Sequence, residues 1–272
     1  MIVVAGQPLD IDSLTGEYPS NSLEYDLLRR MADSDGTYAY DSLSDLSFEL
    51  TLRREIVAAA RALARSRFSF AVFHKSRCNE EYWERTANGG FDLREGAVPS
   101  EAILDIYTNG REYATECATA ILIVYYRALL ETYGAERFNA LFPHIYLMNW
   151  SRLDPLLRET GSPRAAADML PGDRGYFRNP DVDPETPEWQ GENVIILPDS
   201  LYYGHGIGVT RAQGIIRGLN AHRREGATQS AYLMDEVGRP DFKKLAGLYD
   251  EDAARGAYPE WGISHPRVSV MY

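Results

Sequence analysis

Residues 189–208 read Trp189-Gln-Gly-Glu-Asn-Val-Ile-Ile-Leu-Pro-Asp-Ser-Leu-Tyr-Tyr-Gly-His-Gly-Ile-Gly208. Two apolar runs meet at a turn-forming Pro198-Asp-Ser-Leu201, so residues 193–197 and 202–209 are predicted to form a β-hairpin. If the chain reverses through Asp199-Ser200, Glu192 lies opposite Ile207 and His205 lies opposite Val194. The carboxylate and the imidazole then share one face as diagonal neighbours, ~7–8 Å apart between backbones. A loop with an odd number of residues would put them on opposite faces. The glycines flanking His205 let another backbone or a substrate approach closely.

Upstream, the most apolar stretch reads Ala114-Thr-Glu-Cys-Ala-Thr-Ala-Ile-Leu-Ile-Val-Tyr-Tyr126. Residues 118–126 are about half as long as a membrane span requires, so a buried helix is predicted, ending near Thr132-Tyr-Gly134. If that helix starts between Gly110 and Thr115, Cys117 lies in its first or second turn, where unpaired N–H groups and the positive dipole end favour thiolate. Glu116 opposes that electrostatically unless it points away or takes part in proton transfer. A free cysteine beside Ala and Ile is also commonly just a small buried hydrophobe. A lone thiol, a carboxylate and an imidazole on separate elements are nonetheless the parts of an activated-cysteine acyl transferase.

Further out, residues 44–65 carry apolar positions at helical intervals and residues 67–73 alternate like a half-buried strand. Ser100 is predicted to cap a short helix that stops at Asn109-Gly110, another short helix closes at 139–142, and 144–150 reads as strand. Six prolines punctuate residues 154–192, giving a long ordered loop with one extended piece at Tyr176-Phe177. Thr210 is expected to cap a helix through Arg223, followed by a strand at 230–234. Residues 1–40 look loosely organised, and from Gly238 onward a charged, turn-rich surface appendage is expected. Early helices and late clustered strands indicate an α+β fold, with the helix bearing Cys117 packed on an antiparallel sheet.

The 272 residues suffice for a full core, and 44% apolar with 25% charged residues is ordinary for a globular chain. The net charge of −12 argues against nucleic acid and anionic membrane partners and favours lysine-rich ones. Two cysteines make no disulfide framework. The N-terminus has no basic region and only a five-residue apolar run, unlike a signal peptide, so a soluble intracellular chain is expected.

His74, His144, His222 and His265 are scattered without metal-ligand spacing. Asp181-x-Asp183-x-Glu185 resembles a calcium loop superficially but lacks the glycine at the sixth position. No metal or cofactor is implied. Cys78 reads as a spare surface thiol. Trp150, Tyr176 and Trp189 could form an aromatic wall around a substrate channel, or simply pack in the core.

The motifs Phe48-Glu-Leu-Thr-Leu-Arg, Glu116-Cys-Ala-Thr-Ala-Ile, Trp189-Gln-Gly-Glu-Asn-Val-Ile, Gly204-His-Gly-Ile-Gly and Gln229-Ser-Ala-Tyr-Leu resemble the spore-coat protein-glutamine gamma-glutamyltransferases of endospore-forming bacteria. The likeness runs from residue 1 to about residue 236. It implies a papain-like cysteine hydrolase core and calcium-independent joining of a glutamine side chain to a lysine side chain. It also implies Cys117 as nucleophile with Glu192 and His205 as partners, Glu116 as an accessory carboxylate, and Trp150, Tyr176 and Trp189 lining a tunnel. Protein substrates with accessible Gln and Lys, among them spore coat proteins, would be the partners. The location would be the mother-cell cytoplasm and then the coat. One transglutaminase domain over residues 1–245 and an extension over 246–272 are expected. Residues 29–43 are longer and more polar than the resemblance leads one to expect. A papain-like peptidase or amidase and a non-catalytic coat scaffold are the alternatives.

Overall fold

The computed structural model describes residues 1–254, with side chains through Tyr249. Helix α1 spans Leu23–Asp33, α2 Leu43–Arg65, α3 Pro99–Thr108, α4 Cys117–Tyr133, α5 Ala135–Leu141, α6 Ala212–Asn220 and α7 Phe242–Ala254. Helix α4 is apolar on every side except the face that carries the Arg127–Glu131 ion pair, and a helix of that kind has to be largely surrounded. It is enclosed by α2, α3, α5 and the strand Gly191–Leu197, every residue of which is buried. Each large side chain so buried contributes roughly 1.5–3 kcal/mol.

That strand lies at the centre of an antiparallel five-stranded sheet, ordered Gly208–Arg211, Leu201–Gly204, Gly191–Leu197, Arg174–Arg178, Tyr232–Leu233. Ile195, Leu197 and Tyr203 join α2 and α4 in the main core, whereas Val194 and Phe177 pack with Ile215 and Leu219 of α6. The result is an α+β fold with helices on both faces of an antiparallel sheet.

The hairpin departs from the expected register. Leu197 pairs with Leu201 and Val194 with Gly204, so three residues, Pro198, Asp199 and Ser200, form the loop. Asp199 and Ser200 both take positive φ (61° and 57°), and this tightens the reversal. The loop is odd, and the predicted pairing of His205 with Val194 and of Glu192 with Ile207 does not form. The second strand is also shorter than expected. It ends at Gly204, and the chain turns through His205-Gly206-Ile207 before Gly208–Arg211 runs back. Gly206 (φ 95°) and Gly208 (φ 90°) occupy the left-handed region that only glycine enters cheaply.

Other corrections follow from tertiary packing. Residues 1–40 are ordered: Ile2–Val4 pairs in parallel with Tyr38–Tyr40, and α1 closes a second small core with Leu46 and Leu50 of α2. The stretch predicted as loop contains the five-residue strand Arg174–Arg178. Residues 67–73 and 144–150 shrink to the strands Ser69–Phe70 and Tyr146–Leu147, and Thr210 belongs to a strand rather than a cap. The described part of the expected appendage is α7, which buries Phe242, Leu245 and Ala246 and packs Tyr249 against Phe48 and Tyr133; its remainder, 255–272, lies outside the described residues. His265 lies outside the described residues. Among the described residues, no helix is long and apolar enough to cross a membrane.

Candidate active site

The parallel pair Ser69–Phe70 and Ala114–Thr115 delivers the chain into α4, with Glu116 as N-cap and Cys117 as the first helical residue. The Glu116 carboxylate accepts from the Ala118 and Thr119 N–H groups (2.6 and 2.7 Å) and from the Thr119 hydroxyl. It therefore consumes the donors that were expected to stabilise thiolate. Burial raises the Glu116 pKa, while these hydrogen bonds and one with the Cys117 thiol pull it back.

Cys117 is half-buried. Burial first, then the charges of Glu192 and Glu116, push its thiol far above the ordinary thiol range. Opposing them, the Asn193 Nδ2 donates to Sγ at 3.4 Å, and the Asn193 backbone N–H donates as well. The low-pKa thiolate expected from the helix position is thus reversed: the sulfur holds its proton because it is buried and two carboxyl groups crowd it.

Glu192 is 5% exposed. Its carboxylate accepts from the His205 backbone N–H, while Oε1 has no partner among the described residues. Burial and then Glu116 raise its pKa well above the usual carboxylate range. Gly204 supplies the space, since a Cβ there would stand 3.0 Å from both Cγ and Oε1 of Glu192.

His205 is buried, and burial lowers its pKa to about 4, so the ring is neutral. Its Nε2 lies 3.0 Å from the Ser69 carbonyl, which can only accept, so Nε2 carries the proton. Nδ1 then accepts from the Tyr203 hydroxyl at 3.1 Å. Both ring nitrogens are engaged away from the sulfur. The ring instead ties the 205–207 turn to the strands that lead into Cys117.

A cavity of ≈ 1270 Å³ opens onto Cys117, lined also by Phe70, Phe73, Trp150, Arg174, Tyr176 and Asn193. Burial, together with the charges of Cys117 and Glu192, pushes the Tyr176 hydroxyl up to about 12. Trp189 does not line the cavity. It stacks face to face on His222, with centroids 3.8 Å apart, and packs in the small core beneath α6. Glu192 and His205 sit behind the cavity wall rather than on it. The sequence reading missed Asn193 and Arg174. Asn193 is legible as the neighbour of Glu192 on the opposite face of its strand, whereas Arg174 lies in a stretch whose prolines predict loop.

Among the described residues, no group of three or more His, Cys, Asp or Glu side chains is arranged to hold a metal ion. The Asp181 carboxylate of the calcium-like run is taken by Arg224 and by the Thr228 and Gln229 N–H groups, each at 2.8 Å. Cys78 is half-buried in this structure, and burial pushes its thiol up to about 11.

A family model described as protein-glutamine gamma-glutamyltransferase matches residues 1–249. A protein of that name from Halalkalibacterium halodurans is 42% identical over 258 residues, covering 95% of this chain and 89% of the relative. Another from Bacillus cereus is 42% identical over 246 residues, covering 90% and 88% respectively. The solved transglutaminase from Geobacillus stearothermophilus (without C-terminal extension) superposes with a TM-score of 0.71 at 48% identity, covering 76% of this chain and 97% of that one.

Proposed function

We infer the chemistry from one premise: this chain belongs to the protein-glutamine gamma-glutamyltransferase family and is an acyltransferase of that kind. The observation that carries the residue-level reading is a cysteine on the wall of a large, aromatic-lined cavity with two buried carboxyl groups raising its pKa. We read the core as papain-like, with the nucleophile starting a helix that packs on an antiparallel sheet.

In this reading the Cys117 thiol keeps its proton until substrate binds, and Glu192 is the carboxylate that then receives it. The thiol proton passes to the Glu192 carboxylate as Sγ bonds to the carbon of a glutamine carboxamide, and the carbonyl π pair moves onto oxygen. The C–N bond then breaks, the nitrogen takes the proton back from Glu192, and ammonia leaves a Cys117 thioester. A neutral lysine amine next attacks the thioester carbon and gives its proton to Glu192. The C–S bond breaks, the thiolate recovers that proton, and an isopeptide bond remains. Glu116 is the accessory carboxylate, able to share part of the proton load. His205 acts by holding the turn whose N–H grips Glu192. The apolar wall of Phe70, Phe73, Trp150 and Tyr176 keeps water scarce while the thioester waits.

Every step is acid–base chemistry of side chains, so the reaction is calcium-independent. The net charge of −12 favours lysine-rich protein substrates, which we take to be spore coat proteins met in the mother cell and then at the coat.

The test uses a fluorescent primary amine and a glutamine-bearing protein. The parent should incorporate the amine and release one ammonia per bond, with or without a calcium chelator. Cys117→Ala should fold normally and lose roughly 10³-fold or more of that rate. Ammonia release without incorporation would identify an amidase, and activity in Cys117→Ala would overturn the assignment.

A further inference from the structure

The strand register puts Arg174 opposite Ile195 and Tyr176 opposite Asn193, so these four side chains lie on one face of the sheet. Three of them, Arg174, Tyr176 and Asn193, reach the cavity. The Asn193 amide bridges two very different neighbours. Its Nδ2 faces the Cys117 sulfur at 3.4 Å and its Oδ1 faces Nη1 of Arg174 at 3.5 Å. Arg174 is 4% exposed, lies with its guanidinium 4.4 Å above the Trp150 ring, and leaves a buried Nε without a hydrogen-bond partner. Among the described residues, no salt bridge reaches it.

We propose that Asn193 is a further catalytic residue, donating its Nδ2 N–H to the thiolate and then to the oxyanion of the tetrahedral intermediate. Arg174 is the positioning residue that holds the amide in that orientation. The proposal rests on the reading of Cys117 as nucleophile.

The helix terminus alone falls short of what this intermediate needs. Of the first four N–H groups of α4, those of Ala118 and Thr119 go to the Glu116 carboxylate and that of Ala120 to the Glu116 carbonyl. Only the Cys117 N–H is left free of these contacts. A tetrahedral oxygen sits on the carbon bonded to sulfur, so a donor already against the sulfur is two bonds from where the charge develops. A side-chain amide there, paired with the Cys117 N–H, completes a two-donor oxyanion site. Orientation decides whether it works. Turned by 180°, the amide would set its oxygen against the sulfur, in the field of Glu116 and Glu192, and its NH₂ against a guanidinium. The Arg174 cation makes that flip unfavourable, and its own attraction to the Cys117 charge adds to the same end.

Four variants test this in the amine-incorporation assay, with kcat, KM and the pH dependence of Cys117 alkylation by iodoacetamide measured for each. Asn193→Ala should lower kcat roughly 10²–10³-fold with little change in KM. Its alkylation profile should move to higher pH, because a donor to the thiolate is gone. Asn193→Asp keeps the shape and gains a carboxylate for Arg174, so it should stay folded and lose as much kcat. Arg174→Gln should show a smaller kcat loss and an alkylation shift in the same direction, and Arg174→Lys should recover part of both. Asn193→Asp with near-parental kcat, or Arg174→Gln acting on KM alone with an unchanged alkylation profile, would overturn the proposal. A dead Cys117→Ala beside a fully active Asn193→Ala would remove this inference and leave the nucleophile standing. An active Cys117→Ala would remove both.

Discussion

Two buried polar clusters meet at the neighbouring residues Asp173 and Arg174, and they are built on opposite principles. Around Arg53 the charges close. This fully buried guanidinium bonds Glu49 at 2.8 Å and Asp173 at 2.9 Å and lies over the Phe242 ring, while Arg239 reaches Asp173 through two donors and Tyr40 donates to Glu49. Two cations face two carboxylates, and the Arg53 pKa rises because Asp173 and Glu49 more than offset its burial. Around Cys117 the charges do not close. Glu116, Glu192 and the thiol crowd together, all with raised pKa values, while the cation Arg174 interacts with the Cys117 charge but forms no salt bridge among the described residues. The first arrangement ties α2 to the loop before the strand Arg174–Arg178. The second stores acid–base reactivity at the expense of stability.

Breaking the closed cluster should show the larger effect on folding. Asp173→Ala leaves Arg53 buried beside one carboxylate and should cost about 3–5 kcal/mol in chemical denaturation, with kcat of the folded protein little changed. A mild shift in the denaturation midpoint would mean that the network does not hold the fold.

Opening the reactive cluster should do the reverse. Glu192→Gln should lower kcat about 10²–10⁴-fold and yet raise Tm at neutral pH. The sign follows from linkage. A carboxyl whose folded pKa lies above its unfolded value loses stability as pH rises past the unfolded value, and the variant escapes that loss. The Tm gain should vanish when both proteins are melted below pH ~4, and a gain that persists there would have another source.

His205 provides a third comparison. Its folded pKa, about 4, is below the ordinary histidine value, so the unfolded chain binds the extra proton first. Stability should be fully present above pH ~6.5 and fall as pH drops toward 4, by roughly 3 kcal/mol from this group. His205→Gln should flatten that part of the stability–pH curve measured by urea unfolding.

The smallest effect expected is at Gly204. An added methyl would meet the Glu192 carboxyl group at 3.0 Å, so Gly204→Ala should reduce kcat about tenfold, equivalent to ~1.4 kcal/mol. Its Tm should hardly move, and an unchanged kcat would show that the carboxylate can shift without consequence.

Much of this was legible in the residues themselves. The mostly apolar run of residues 118–130 required a buried helix, whereas its start at Cys117, capped by Glu116, came later than the 110–115 that the sequence suggests. The run Asn193-Val-Ile-Ile-Leu197 required a buried strand. Less legible were the short elements. Ile2–Val4 and Tyr38–Tyr40 are strands only because they pair across α1, and Arg174–Arg178 is one because a sheet edge waits for it among the prolines. Local pattern carries no record of such partners. Trp189 shows the same gap: an aromatic beside a site motif can face either way, and it turned to stack on His222.

The sequence alone determined that a cysteine would lie in the first turns of an enclosed helix and that strands would form around Pro198. Only the tertiary structure decided which side chains face the sulfur. The reason is parity: with Asp199 and Ser200 both at positive φ, the loop holds three residues instead of two. That single step changed the partner of every residue in the hairpin and left the His205 ring against a backbone carbonyl, while Asn193 meets the thiol because it shares the face of Ile195, which packs toward α4.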